Sequence, residues 1–313
     1  METLNIAWYN VENLFDPLNH PEYKLDWDQN RYNKKIANIA SVISEMHENS
    51  GPDLIGFCEI QSDQALKDII SNLPGGTNEF DIIHHNSPDI RAIDVGFIYR
   101  KSKLSNPAAS AHNIRKRYPT RDIMDVKFDL INGKQAYFIG NHWPARSGGQ
   151  YGSEPYRILV AENCSCITDD LYQNNADTNI IVMGDFNDEP FNRSVSEYLY
   201  AIRNRARVTA RRNSSKSRPY LYNFAWLLMD EQSPGTFYYG SSPAGWNMLD
   251  QIMVSKAVLT GKNGIKAIDE SFSIFKPKRI RDGSKPKAFR KKRNGWTEGF
   301  SDHFPITLKI KML

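Results

Sequence analysis

Apolar residues fall in short runs along this chain, and the runs alternate with two other textures, helical stripes and polar loops. Residues 3–9 (TLNIAWY), 53–57, 80–84, 93–99, 123–130, 135–141, 180–183 and 306–310 read as strands. Residues 31–49 carry Ile36, Ile39, Ile43 and Met46 at helical spacing, with Lys34 and Lys35 off that stripe. Ser62 followed by Ala65, Leu66, Ile69 and Ile70 opens a second helix, and residues 154–173 predict a third. Helices alternate with strands in the first half and hairpin-like strands follow. This order argues against a purely parallel sheet and predicts an α/β sandwich of mixed sheets packed face to face, with helices outside. No internal repeat and no Pro/Gly/Ser-rich linker divides the chain, so residues 1–313 are expected to form a single domain.

Polar clusters sit at or near the ends of these runs. They are Asn10 in IAWYNVEN, Glu59 in LIGFCEIQ, Arg91 to Asp94 in RAIDVGFIYR and His142 in YFIGNHWPAR. Asp185 and Asn187 in IIVMGDFNDEP, Asp250 in NMLDQIMVS, and Asp302 with His303 in GFSDHFPITLKI complete the set. One strand ending in a carboxylate means little. Seven such ends predict several strands emptying into one polar cleft, furnished to hold a hard divalent cation and cut a phosphate ester.

Composition narrows the class only moderately. Charged residues make up 24% of the chain, mean hydropathy is −0.57, and no apolar run approaches a membrane span. A net charge of +4 does not mark a histone-like binder. Its distribution says more: residues 203–218 and 276–295 are conspicuously basic, either as solvated loops or as a rim that contacts phosphate. Trp296 either stacks on a base or pins the second loop. Cys58, in LIGFC, is expected to be a small buried hydrophobe, and Cys164 with Cys166 offers neither a disulfide nor a zinc motif. The opening METLNIAWYNVEN has no export signal, which points to the cytoplasm unless one has been removed.

The carboxylates carry the first chemical expectation. Mg²⁺ or Mn²⁺ takes oxygen ligands, usually one or two carboxylates with waters and substrate oxygens, and Glu59 and Asp302 are natural candidates. In GDFNDEP, Gly184 is expected to permit a tight turn, with Asp185 and Asn187 on one face as the strand ends. An ionised Asp accepts a proton from water while an Asn amide holds that water or a phosphate oxygen; the bland alternative is an Asx-rich turn. In SDHFP, adjacent side chains point opposite ways on a strand, so Asp302 need not be the partner of His303, and Asp250 is a candidate. His142 supplies a second imidazole.

NVEN, FCEIQ, IDVGFIYR, GNHWPAR, GDFNDEP, LDQIMVS and SDHFPI, in that order, resemble the motifs of the endonuclease/exonuclease/phosphatase superfamily, from residue 5 to about residue 310. NHWPAR followed by SGG resembles an unassigned bacterial branch. The resemblance implies the fold of deoxyribonuclease I: a four-layer α/β sandwich of two mixed, mostly antiparallel sheets. It also implies roles. Glu59 would ligate the metal, with Asn10 and Asp302 in or beside the same shell. Asp185 would activate or orient the attacking water, helped by Asn187. His303, held by Asp250, and His142 would bind the scissile phosphate, and Arg91, Arg121 and Arg146 would clamp further oxygens. Two departures leave the substrate open. His142 stands where abasic-site endonucleases usually carry Asn, and NHWPAR lacks the Leu-Lys-Ser that often follows this histidine in secreted nucleases and sphingomyelinases.

The leading expectation is therefore a metal-dependent phosphodiesterase acting on nucleic acid or a nucleotide-like diester, with no stable membrane insertion and no protein partner implied. A phosphatase or phospholipase-type hydrolase of inositol phosphate, phosphoinositide or sphingomyelin-like substrates is the alternative. A membrane-acting member needs an exposed apolar hairpin, and FYYGSSPAGW at 237–246 reads instead as core strands and a turn. A binding module without catalysis would lack a site residue, and none is missing.

Overall fold

A computed structural model describes residues 2–17, 27–210, 218–229, 235–240, 245–293 and 295–313. Its sheet strands are β1 (Thr3–Leu14), β2 (Leu54–Ile60), β3 (Phe80–His84), β4 (Asp94–Arg100), β5 (Leu104–His112), β6 (Ile123–Leu130) and β7 (Gln135–His142). They continue with β8 (Ile180–Asp185), β9 (Ala201–Ile202), β10 (Leu221–Asn223), β11 (Asp250–Val254), β12 (Ile265–Ile274) and β13 (Ile306–Met312). The long helices are α1 (Gln29–Asn49), α2 (Asp63–Ser71) and α3 (Gln150–Asn174). Among the described residues, no helix is long and apolar enough to cross a membrane.

The strands form a six-stranded sheet, β12-β13-β1-β2-β4-β3, and a seven-stranded sheet, β5-β6-β7-β8-β11-β10-β9. Each is mixed and mostly antiparallel, with one long parallel pair near its centre: β1 with β2, and β7 with β8. A parallel pair needs a crossover, and α1 and α3 supply the two. Both pairs finish at the same end of the molecule, where Asn10 reaches Asp185 and Glu59 lies 3.8 Å from His142, and where β4 and β11 begin.

Alternation along β8 shows the layering. Ile181 and Met183 point into the core shared with Phe57 and Phe97 of the other sheet, whereas Ile180 and Val182 pack with Val160, Ala161 and Cys164 of α3. A strand buried on both faces reads as a continuous apolar run, which is why IIVM is so legible. The sheets approach closely at Gly140, where a Cβ would stand 2.7 Å from Val95 and 2.8 Å from Phe97. This is the four-layer α/β sandwich that the motifs imply.

Several boundaries differ from expectation for physical reasons. β5 (LSNPAASAH) has no apolar alternation because it is an exposed edge strand, where Pro107 is tolerated. α3 begins at Gln150 and runs through Pro155. Gly184 makes no turn; it lies within β8, where a Cβ would sit 2.4 Å from the carbonyl oxygen of Asn141. Gly184→Ala is expected to lower stability by about 1–3 kcal/mol, because backbone rather than a flexible side chain must give way; chemical denaturation checks this.

Helical geometry in α1 breaks at Met46, and His47 (φ +50°) turns its ring inward, its Nε2 3.1 Å from the Ile6 carbonyl oxygen. Burial holds the His47 pKa down at about 4, against an ordinary 6.5. The unfolded chain therefore takes up this proton first, so His47's contribution is complete above pH 6.5 and is lost as pH falls towards 4. The loss amounts to about 3 kcal/mol. His47→Gln should flatten the dependence of unfolding free energy on pH across that window and leave it unchanged above pH 7.

Candidate active site

Backbone irregularities aim the first site residues. The parallel register of β1 and β2 runs unbroken from Ile6 opposite Leu54 to Asn10 opposite Cys58, then shifts so that Leu14 faces Ile60. The register of β2 with β4 shifts between Cys58 and Ile60 as well. Glu12, Asn13 and Glu59 all adopt left-handed backbone, with φ of +53°, +54° and +62°. Such bulges at strand ends re-aim side chains. The Asn13 N–H donates to Glu59 Oε2 at 2.8 Å, and Glu59 Oε1 lies 3.8 Å from His142 Nε2.

The strand ends of the second sheet come in from the opposite side. His142 and Asp185 are directly paired across β7 and β8, and Asp185 and Asp250 across β8 and β11. The ligating atoms of Asp185, Asp250 and His303 lie within 4.8 Å of one another, as do those of Cys58, His142 and Asp185. Asp185 accepts from Asn10 Nδ2 at 3.0 Å and from the Asn187 N–H at 2.9 Å. Asn187, with φ +49°, donates its own amide to the Trp143 carbonyl at 3.0 Å. The Asx turn and the inward-facing carboxylate are thus one structure.

His303 Nδ1 stands 2.7 Å from Asp250 Oδ2, and its Nε2 faces Asp185 Oδ2 at 3.9 Å. Phe237 stacks on the ring at 4.8 Å. Burial disfavours the charged ring, but the Asp250 carboxylate and its hydrogen bond, with Asp185 and Asp302, push the pKa up to about 10. His142 goes the other way. Burial, with Arg121, Arg91 and His303, holds it well below the ordinary histidine value, and its buried Nδ1 has no partner. The site therefore pairs a cationic imidazole with a neutral one. Burial and Asp250 raise the Asp185 pKa, against the pull of His303. Cys58 is fully buried beside them; burial, with Asp185, Asp250 and Glu59, keeps it a neutral thiol.

Asp302 is held by an arginine. It accepts from Arg290 Nη2 at 2.8 Å, and Arg290 Nε reaches Glu12 Oε1 at 2.7 Å. Burial is the largest influence raising the Asp302 pKa; Glu59 adds to it, and His303 and Arg290 oppose it. Lys35, expected on the polar face of α1, is instead fully buried: it donates to the Glu12 carbonyl and sits over the rings of Trp27 and Phe289. Burial brings its pKa down to about 8.

The arginines separate. Arg121 is buried and donates to the His142 and Trp143 carbonyls and to Asp89. Arg146 donates to the Asn187 carbonyl at 2.8 Å, to Asn247 and to Asn192. Both brace the loops that carry site residues. Arg91 is half-exposed, 3.7 Å from Asp89.

Glu12, Lys35 and Arg290 were not singled out from the sequence, nor were Asp188 and Arg157, a fully buried ion pair at 2.7 Å behind the Asn187 loop. Glu12 and Asp188 are inside the NVEN and GDFNDEP motifs, whereas nothing in the basic run distinguishes Arg290 from its neighbours. Trp296 pins its loop, packing on Trp27 at 5.6 Å and Phe289 at 6.1 Å. Phe237–Tyr238 pairs with Trp246–Asn247 beside His303; residues 241–244 lie outside the described residues, as do residues 211–217 of the first basic stretch.

Two sheets face to face, with acids and histidines gathered where the parallel pairs end, define a hydrolase-type α/β sandwich. The chain belongs to the Endonuclease/Exonuclease/phosphatase family, whose model matches residues 5–312. Members of this family hydrolyse phosphate esters and are typically dependent on divalent metal ions. Solved structures with the same fold include a mannosyl-6-phosphatase of Bacteroides thetaiotaomicron, at 17% identity and TM-score 0.60, covering 99% of this chain and 100% of that one. The human Nocturnin catalytic domain with bound sulfate matches at 14% identity and TM-score 0.59, covering 99% and 95%. Truncated TDP2 of Caenorhabditis elegans matches at 13% identity and TM-score 0.57, covering 98% and 97%. No curated protein matches the sequence.

Proposed function

We propose that this chain, acting as a single domain, is a phosphodiesterase of the nuclease type that works with Mg²⁺ or Mn²⁺. The observation that carries this reading is the Asp250–His303 pair facing Asp185 across 3.9 Å, with Glu59 alongside. The donor set fits a hard cation. Glu59 has one oxygen fixed by the Asn13 N–H and, among the described residues, no donor on the other; Asp302 is close enough to feel its charge, and Asn10 donates to the neighbouring Asp185. A bound ion would neutralise charge on a phosphoryl oxygen and ease deprotonation of water.

The chain's own residues do the rest. Asp250 keeps the Nδ1 proton of His303 in place, so the imidazolium presents Nε2–H to a phosphoryl oxygen as charge builds there. Asp185, anchored by Asn10 and Asn187, orients water for in-line attack and takes its proton, a task eased by a raised pKa. Neutral His142 gives a second contact without adding charge, and Arg91 is the arginine left to meet a further oxygen. No covalent intermediate is needed.

The alternative, a phosphomonoesterase, is favoured by the fold shared along its whole length with the mannosyl-6-phosphatase. Comparing kcat/KM on bis(p-nitrophenyl) phosphate and p-nitrophenyl phosphate separates them. A preference of about tenfold or more for the diester is expected, and the reverse preference would support the phosphatase.

A further inference from the structure

Beside Asp302 opens a cleft of about 480 Å³, bounded by the hairpins Arg281–Asp282/Lys285–Pro286 and Phe289–Lys292/Gly295–Glu298. We propose that it is a subsite for a second phosphate of the substrate, so that the substrate carries at least two phosphoryl groups. This rests on the hydrolase reading above and extends it to substrate class.

Charge is the first argument. Lys285, Lys287 and Lys292 line the cleft, all exposed, and among the described residues none has a carboxylate partner. Arg290, on the same wall, is committed to Glu12 and Asp302. The acids lining the cleft are Asp282 and the already paired Asp302, so the free charge is positive. Phosphate contacts of this kind fix the register of a substrate.

Continuity with the catalytic centre is the second. Lys285 Nζ lies 3.8 Å above the ring of Tyr238, another lining residue, and the adjacent Phe237 stacks on His303. One residue thus separates the wall of the cleft from the ring that faces the scissile phosphate. The volume is within the range of small-ligand sites and has room for a sugar- or inositol-sized unit.

Rigidity is the third. The Lys287 N–H donates to the Ile280 carbonyl at 2.9 Å, and its carbonyl accepts the Phe300 N–H at 2.6 Å. Phe289 and Trp296 anchor the second hairpin on Trp27. The backbone that carries the lysines is therefore fixed, and only their side chains must order on binding.

Two sources share this chemistry: a neighbouring nucleotide of a strand, and a second phosphate on an inositol ring. Calorimetric titration without metal, in EDTA, compares thymidine 3′,5′-bisphosphate with thymidine 5′-monophosphate, and inositol 1,4-bisphosphate with inositol 1-phosphate. At least one bisphosphate is expected to bind about tenfold tighter than its monophosphate, and the pair showing the larger gain assigns the source. Combined Lys285→Glu and Lys287→Glu should abolish that advantage, while Lys285→Arg with Lys287→Arg should keep it. If the glutamate variant does not fold, Lys285→Ala with Lys287→Ala replaces it. No advantage in either pair, or an advantage that survives loss of both lysines, overturns the subsite. Because no turnover is involved, this failure is distinct from failure of the hydrolase reading, which the diester assay reports.

Discussion

His303→Ala is expected to lower kcat on bis(p-nitrophenyl) phosphate about 10³-fold while KM changes far less, because the imidazolium acts where charge develops rather than where substrate rests. Asp250→Asn should approach the same loss, since it releases the ring and withdraws the carboxylate that keeps it charged. The pH profile tells the two effects apart. With the His303 pKa raised to about 10, the protonated form persists through neutral pH and activity should fall only as pH rises through that value. In Asp250→Asn, burial, which lowers this pKa, meets less opposition, so the alkaline limb should move down towards neutrality. An unchanged alkaline limb in Asp250→Asn would remove His303 from the mechanism as drawn.

Glu59→Gln should raise the Mg²⁺ or Mn²⁺ concentration for half-maximal turnover at least about tenfold and lower the maximal rate about 10²-fold. Glutamine retains an oxygen for the Asn13 N–H and the length of the side chain, so the bulge at Glu59 should survive, and an unchanged melting temperature checks that. Mn²⁺ binding followed by electron paramagnetic resonance provides a readout independent of turnover. Equal Mn²⁺ affinity in the wild type and the variant would show that Glu59 is not a ligand.

Some of this was legible in the sequence because burial and chemistry leave local marks. IIVM before GDFN announces a strand buried on both faces and the acids at its end. The two-residue period of a strand argued only that Asp302 need not partner His303, with Asp250 one candidate; the structure has Asp250 there, at 2.7 Å. Other features depend on distant partners. Lys35 looks like any helix-surface lysine until Glu12, Trp27 and Phe289 close around it. Arg121 and Arg146 were expected to clamp phosphate, yet both donate to backbone carbonyls, which carry no side-chain signature. Gly184 was expected at a turn, and its reason is the Asn141 backbone across the sheet. The edge strand β5 was invisible because half-exposed edges need no apolar rhythm.

The most direct test of the central claim is hydrolysis of bis(p-nitrophenyl) phosphate with Mg²⁺ or Mn²⁺, run for the wild type, the wild type in EDTA, and His303→Ala. Turnover lost in both controls is the predicted result. Undiminished turnover in EDTA, or full activity in His303→Ala, would contradict a metal-dependent phosphodiesterase centred on this histidine.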